Sequence, residues 1–403
     1  MKIKLVDFET CTGCGVCVLV CPVNSIELVE NNIGYKYPKI NYDLCINCGK
    51  CLRICEEIKN NTTYESKEVF AAASKDQIIL KNSSSGGIFS EMAKYILANG
   101  GYVFGASMDN NFFVRHIEIN CLKDLPLLQG SKYVQSDSYI VFERIKILLL
   151  NNNLVLFSGT PCQISALISF LSDHYNNLYL VEIICHGVPN NKIFQDYIIN
   201  YEKRQKCTVQ NYKFRTKDRG WGIIGSVEYK KANHKQKRTV FSDEDSYYSA
   251  FLAGLIFRNS CYSCNFATKR RCSDITLGDF WGIQNEHRHE LNVNSMNPFQ
   301  GVSAVLINSN SGLELFENVK ENINYFQSSF NKVARHNPQL YKPSERNSLR
   351  DTLLFNYQKF GYSSIENQFR KNFIKKLIIL RVKNKIPRGI VFKIKKWFFF
   401  RFD

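Results

Sequence analysis

The chain is 403 residues long, 44% hydrophobic, and carries a formal net charge of +17 from 53 Lys/Arg against 36 Asp/Glu. That length allows about two or three domains and the apolar content is ample for a buried core, which excludes a bare metal-binding module and a disordered polyelectrolyte. A basic excess raises nucleic acid as a partner, but its placement argues for no nucleic acid: residues 1–60 hold seven basic and seven acidic side chains, whereas residues 367–403 hold twelve Lys/Arg and the single acid Asp403.

Eight of the fifteen cysteines stand in the first 55 residues as one pattern written twice: Cys11, Cys14, Cys17 and Cys21, then Cys45, Cys48, Cys51 and Cys55. Triplets spaced C-x2-C-x2-C with a trailing fourth cysteine are the spacing of a protein holding two cubane 4Fe-4S clusters. The triplet wraps a tight loop around one cubane and the fourth thiol, on the following helix, reaches the other. The expected ligand sets are therefore Cys11, Cys14, Cys17 and Cys55 for one cluster, and Cys45, Cys48, Cys51 and Cys21 for the other. Disulfides would need an oxidising compartment, and structural zinc uses two pairs of ligands. Pro22 follows the first motif, while Glu56 stands where the second would usually carry proline; the turn loosens but no ligand is lost. The N-terminus MKIKLVDFETC has no apolar run after its charges, and no stretch reaches the length of a membrane span. A cytoplasmic location with reduced thiols is expected.

After the polar link Asn60-Asn61-Thr62-Thr63 the pattern alternates. Val69 to Ala73 reads as a strand, Ser90 to Leu97 has helical spacing and stops at Gly100-Gly101, and Tyr102 to Gly105 restarts a strand. Phe142 to Leu150 reads as a helix and Leu154 to Phe157 as a short buried strand. The expected architecture is an α+β ferredoxin-like two-cluster domain over residues 1–60, then an α/β core over 61–360 with a subdivision near 150–210, then a tail over 361–403.

Within the core, Gly159-Thr160-Pro161-Cys162-Gln163, Ile184-Cys185-His186-Gly187 and Cys261-Tyr262-Ser263-Cys264 place four thiols on strand ends and loops. They are candidates to converge on a metal, or else buried small hydrophobes. Ser83-Ser84-Ser85-Gly86-Gly87 precedes a helix, which suits either phosphate binding by hydroxyls and helix N–H groups or a plain serine cap. Arg215 and Lys217 are candidates to hold a pyrophosphate or an anionic substrate, or they belong to a solvated strand face. Asp279, between Gly278 and the aromatics Phe280 and Trp281, reads on its own as part of a turn that closes a core. His186, beside a candidate ligand, is positioned to move a proton or simply to form hydrogen bonds.

In order along the chain, Ser83 to Gly87, the Cys162 and Cys185 motifs, Phe214-Arg215-Thr216-Lys217 with Gly220-Trp221, and Cys261 to Cys264 followed by Ser273 to Gly282 resemble the beta-subunit family of coenzyme F420 (deazaflavin) hydrogenases and dehydrogenases, from residue 1 to about 360. The resemblance implies FAD and a flavin-binding core. It further implies that Cys162, Cys185, Cys261 and Cys264 ligate a third 4Fe-4S cluster close to the flavin, with Ser84, Ser85, Gly86 and Gly87 in the flavin-contacting loop and Asp279 facing the flavin. Cys121, Cys207 and Cys272 are then ordinary thiols. The implied function is an iron–sulfur flavoprotein oxidoreductase that works with a redox partner protein or a small-molecule electron carrier. Its two-electron substrate would be a deazaflavin, or a sugar compound in surface polysaccharide biosynthesis. A non-catalytic electron-transfer subunit or scaffold in that biosynthesis is the alternative.

From Phe369 to Phe402 the tail interleaves Lys/Arg with Ile, Leu, Phe and Trp, broken at Pro387 and Gly389. Two amphipathic segments of that kind suit an anionic membrane surface, peripheral to the inner face of the cell membrane, or pack on the core with a solvated basic face.

Overall fold

The computed structural model describes residues 3–61 and 63–372; the amphipathic run Phe373 to Phe402 lies outside the described residues. The N-terminal unit repeats itself at the backbone level. Its strands β1 (Ile26–Glu30) and β2 (Lys36–Ile40) pair antiparallel, and each cysteine loop leads into a helix, Val16–Leu19 and Lys50–Asn60. Both loops turn through left-handed residues at matching places, Gly13 (φ 69°) with Asn47 (φ 55°) and Gly15 (φ 79°) with Gly49 (φ 73°). These turns let three thiols at x2 spacing point inward from one loop.

The two loops differ in what surrounds them. A Cβ on Gly13 would lie 2.4 Å from the Arg258 guanidinium and one on Gly15 2.4 Å from the Tyr139 ring, whereas one on Gly49 would meet only Arg53, at 3.3 Å. So the first loop is pressed against the rest of the chain and the second faces outward. Val16 and Ile54 are accordingly buried in a core shared with Phe142, Ile145, Phe157 and Ile164. At about 1.5–3 kcal/mol per fully buried large apolar side chain, that seam ties the N-terminal unit to the core.

The remaining strands are β3 (Glu68–Ser74), β4 (Tyr102–Met108), β5 (Val114–Ile119), β6 (Val155–Gly159), β7 (Leu178–Ile183), β8 (Thr208–Lys213), β9 (Ile224–Lys231), β10 (His234–Phe241), β11 (Ile275–Asp279), β12 (Ser303–Ile307) and β13 (Ile323–Gln327). Eight form one sheet in the order β13-β3-β12-β11-β7-β6-β4-β5, and β8 to β10 form a separate three-stranded antiparallel sheet. The centre of the large sheet, β11, β7, β6 and β4, is parallel, while β5 on one side and β12, β3 and β13 on the other run antiparallel. The core is thus mixed. Its sheet runs unbroken across residues 150–210, because β6 and β7 sit at its middle.

Alternation along β6 shows how the sheet is covered. Leu156 joins Met92 and Ile96 of helix Ile88–Ala98 and Phe316 of helix Asn310–Val319 on one face. Val155 and Phe157 join helices Phe142–Leu150 and Pro161–Leu171 on the other. Polar or bent positions follow β6, β7 and β11 at their carboxyl ends, and these three adjacent strands deliver Thr160-Pro161-Cys162, Cys185-His186 and Asp279 to one edge. In open parallel sheets that edge is the usual ligand crevice.

Candidate metal centres and the adjoining crevice

In the N-terminal unit Cys11, Cys14, Cys17 and Cys55 lie near one another, and Cys51 lies near Cys48 and Cys21. Burial foremost, then the neighbouring Cys14, Cys55 and Cys11, push the Cys17 thiol far up. Cys51 is raised by burial and by Cys48 and Cys21. Burial also works on Cys21, but the Ser25 hydroxyl and nearby amides outweigh it and the net shift is down. Ser25 N donates to Cys21 Sγ at 3.2 Å, the kind of N–H···S contact that stabilises a bound thiolate. A cavity of about 200 Å³ lies at the focus of Cys11, Cys14, Cys17 and Cys55, and Cys264 of the core lines it too. The described residues include all fifteen cysteines, and no two of them are joined in a disulfide. Thiols crowded around one cavity raise each other's pKa, and a cationic cluster relieves that repulsion.

Far apart in sequence, Cys162, Cys185, Cys261 and Cys264 come together. Cys162 sits in the first turn of helix Pro161–Leu171, whose start is fixed by the reciprocal Thr160/Gln163 capping box; Thr160 Oγ1 lies 3.1 Å from its sulfur. Burial first, then Cys264 and Cys261, push Cys162 up to about 12, and Cys14 of the N-terminal unit adds to it. Cys185 is raised by burial and by Cys261, Cys162 and Cys264. Cys261 rises to about 11, mainly by burial. The donor set is four soft, partly buried thiols, which fits an iron–sulfur cluster. Among the described residues no group of three or more His, Cys, Asp or Glu closes on a single metal ion.

The three other cysteines have other partners. Cys272 Sγ lies 3.7 Å from Pro161 O and 3.8 Å from Glu182 Oε2, beside the buried Arg271–Glu182 ion pair. Cys121 donates to Asp124 at 2.8 Å, and Cys207 stands by Glu202 and Lys231.

Next to the core thiols, the crevice residues hold one another. Arg215 is 8% exposed; it pairs with Asp279 at 2.9 Å and donates to Ser84 O and Tyr133 Oη. Burial opposes its charge, but Asp279 overrides this and raises its pKa. Lys217 Nζ donates to Ser85 O at 2.6 Å and to Leu80 O, and burial holds it down at about 8. Trp221 donates to Asp279 at 2.9 Å and stacks on Trp281 with centroids 4.5 Å apart. In the serine loop, Ser84 Oγ accepts from Ser131 N at 2.7 Å, Ser85 Oγ donates to Val302 O, and Gly86 N donates to Ser303 Oγ. Gly86 has no room for a side chain, since a Cβ would lie 2.2 Å from Ala72 O. Gly87, at φ 85°, caps helix Ile88–Ala98.

His186 projects from the end of β7 with Gln339 Nε2 at 2.8 Å from its Nδ1. Burial lowers its pKa, against a smaller opposing hydrogen bond with the Leu252 backbone. Its ring lies between Phe251 and Phe257.

A 4Fe-4S dicluster domain matches residues 10–57. The C-terminal domain of the coenzyme F420 hydrogenase/dehydrogenase beta subunit matches residues 152–329. Among solved structures the chain is similar to a chain of the F420-reducing NiFe hydrogenase complex from Methanosarcina barkeri, solved as a xenon derivative, at 16% identity and a TM-score of 0.43, covering 76% of this chain and 91% of that one. No curated protein matches.

Three residues around this beta-subunit domain carry no mark in the sequence. Lys132 is drawn down to about 7 by burial, and its ammonium donates only to Leu127 O and Gln129 O, with no carboxylate in ion-pair range among the described residues. Its charge adds to the burial that lowers the pKa of His116 to about 4. His116 Nε2 donates to Ser158 O at 2.9 Å while its buried Nδ1 has no partner. Lys132 follows Ser131 of the Ser84–Ser131 contact and is a cation at that place, whereas the unpartnered Nδ1 of His116 is a hydrogen-bond acceptor. Arg258 is the third, 2% exposed between the N-terminal unit and the core. No local pattern marks a lysine or arginine that only long-range packing will bury.

Proposed function

We propose that the chain is an iron–sulfur flavoprotein oxidoreductase in which electrons pass in the order outer N-terminal cluster, inner N-terminal cluster, core cluster, FAD. The dicluster and beta-subunit domain matches together support an electron-transfer oxidoreductase. The observation that carries the order is the nearness of Cys14 to Cys162, with Cys264 on the wall of the cavity bounded by Cys11, Cys14, Cys17 and Cys55. The inner N-terminal set therefore abuts the core set. Cys48 of the outer set is exposed, so a redox partner protein or small carrier exchanges electrons there.

FAD would supply the change between one- and two-electron chemistry. Lys132 and the loop of Ser84, Ser85, Gly86 and Gly87 would hold its anionic portion, and Arg215 and Lys217 fix that loop through its carbonyls. Asp279 orients Arg215 and Trp221. His186, locked between Gln339 and the Leu252 backbone, keeps a fixed tautomer at the edge of the core thiols; its part is to orient rather than to carry protons. The substrate class we favour is a deazaflavin-like or sugar-related two-electron compound, and the basic tail would hold the enzyme at an anionic membrane surface.

One observation favours a second reading: Ser84, Ser85, Gly86 N, Arg215 and Lys217 all have protein partners already. A chain that keeps its clusters without flavin would be an electron-transfer subunit or a scaffold, in surface polysaccharide synthesis or elsewhere. Anaerobic purification with iron, sulfide and flavin quantified decides. About twelve irons and one FAD per chain support the enzyme. About eight irons without flavin reject the core cluster and the flavoenzyme together.

A further inference from the structure

Helix Asn191–Gln205 ends beside the three-stranded sheet, and the junction forms an open concavity of about 640 Å³ lined by Lys203, Lys206 and Lys230 among others. Across the β9–β10 ladder Lys230 stands directly opposite Lys235, and Lys231 opposite His234. Like charges facing each other on a ladder are destabilising. Lys203, Lys206, Lys230, Lys231 and Lys235 are all exposed, and none has a salt bridge among the described residues. The one acid on the concavity, Glu202, accepts from Val209 N. This surface concentrates positive charge that the fold itself does not use.

The described residues end at the same place. Residues 362–372 are helical; Tyr362 packs on Tyr197 at 5.5 Å, Glu366 pairs with Arg204, and Arg370 pairs with Glu366 at 2.8 Å. The segment runs alongside helix Asn191–Gln205 in the same direction, so the chain leaves the described structure at the end bearing Lys203 and Lys206. The 31 residues that follow hold ten Lys/Arg, one acid, six Phe and one Trp.

We propose that Lys203, Lys206, Lys230 and Lys235 bind the phosphate headgroups of an anionic phospholipid bilayer, so that the folded core and the tail engage one membrane surface side by side. The inference deepens the reading of the tail as membrane-directed and is independent of the redox assignment. A lipid surface fits these features better than nucleic acid: the concavity has no aromatic on which a base would stack, and Phe and Trp among the tail's cations suit the bilayer interface.

The test uses the full-length protein, co-sedimented with vesicles of phosphatidylcholine alone or with about 30% phosphatidylglycerol. The variant is the triple substitution Lys203→Gln, Lys230→Gln and Lys235→Gln, at solvent-exposed positions outside the redox machinery. Each charge removed should lower the partition coefficient about fivefold, about 100-fold for the three, on the anionic vesicles only. The thermal midpoint and iron content report that the variant is folded. Removal of residues 373–403 should weaken binding separately and leave a remainder that the triple substitution abolishes. Unchanged binding by the triple variant overturns the proposal even if the tail binds. So does equal binding to neutral vesicles, or release from anionic vesicles by equimolar single-stranded RNA, which would make the face a nucleic-acid interface.

Discussion

Arg258 is the residue whose loss should most clearly separate the N-terminal unit from the core. Its guanidinium donates to Gln135 Oε1 at 3.0 Å, Cys11 O at 3.2 Å and Lys36 O at 2.8 Å, and it lies 5.2 and 4.7 Å from the ring centres of Tyr35 and Tyr37. Gln135 in turn donates to Thr12 O at 2.9 Å, so one side chain holds both the first cysteine loop and the loop's neighbour. Truncation in Arg258→Ala strands the Cys11 carbonyl, held in a buried bond, and the Lys36 carbonyl, held in a partly buried one, at about 1–3 kcal/mol for a fully buried group, and removes the packing against two tyrosines; relief of the buried charge offsets part of it. A net loss of about 3–5 kcal/mol is expected, the scale seen on breaking buried charged networks. Thermal unfolding under argon should show a midpoint lower by roughly 5–10 °C. Limited proteolysis at residues 60–67 should release the N-terminal unit, and magnetic coupling between reduced clusters should weaken in the electron paramagnetic resonance spectrum. Arg258→Lys, which keeps the charge but not the fork, should fall between the two. If Arg258→Ala melts within a degree of the parent and its clusters stay coupled, the docking role is wrong.

Gly86→Ala should cost about 2–3 kcal/mol in denaturant unfolding, because its methyl would meet Ala72 O and Ser303 N and overpack a tight seam; a neutral effect would show that the serine loop moves freely. For His116, the folded pKa lies below the ordinary 6.5, at about 4. The unfolded chain therefore binds the proton more tightly, and the neutral-ring contribution to stability is complete above pH 6.5 and is lost as pH falls toward 4, by about 3 kcal/mol in all. His116→Phe should flatten that part of the pH–stability curve, and an unchanged slope would exclude the assignment. On the proposal of a core cluster, Cys264→Ser should remove about four irons per chain, whereas Cys121→Ser and Cys207→Ser should remove none; iron analysis of the three proteins distinguishes a cluster ligand from a bystander.

The doubled cysteine pattern was legible because ligand spacing is a property of a short loop: x2 spacing and left-handed turns bring three sulfurs inward with no help from elsewhere. Val69 to Ala73, Ser90 to Leu97, Tyr102 to Gly105 and Phe142 to Leu150 likewise lie within observed strands and helices, since alternation and helical spacing are local signals of burial. The convergence of Cys162, Cys185, Cys261 and Cys264 was less legible. Each thiol taken alone reads as a small hydrophobe, and only the adjacency of β6 and β7 brings their carboxyl ends together.

Order along the chain is enough to dictate the metal chemistry of the first 55 residues, the run of elements, and the cationic, aromatic character of the tail. Which cysteine loop turns inward is a matter of long-range packing, because Arg258 meets Gly13 across 245 positions of chain. The same packing makes Arg215 and Lys217 brace the serine loop, and strips His116 of its water. Torsions and spacings are local and can be read from neighbours in the chain. Desolvation, pairing and the direction a charge faces depend on residues brought near only by the folded sheet.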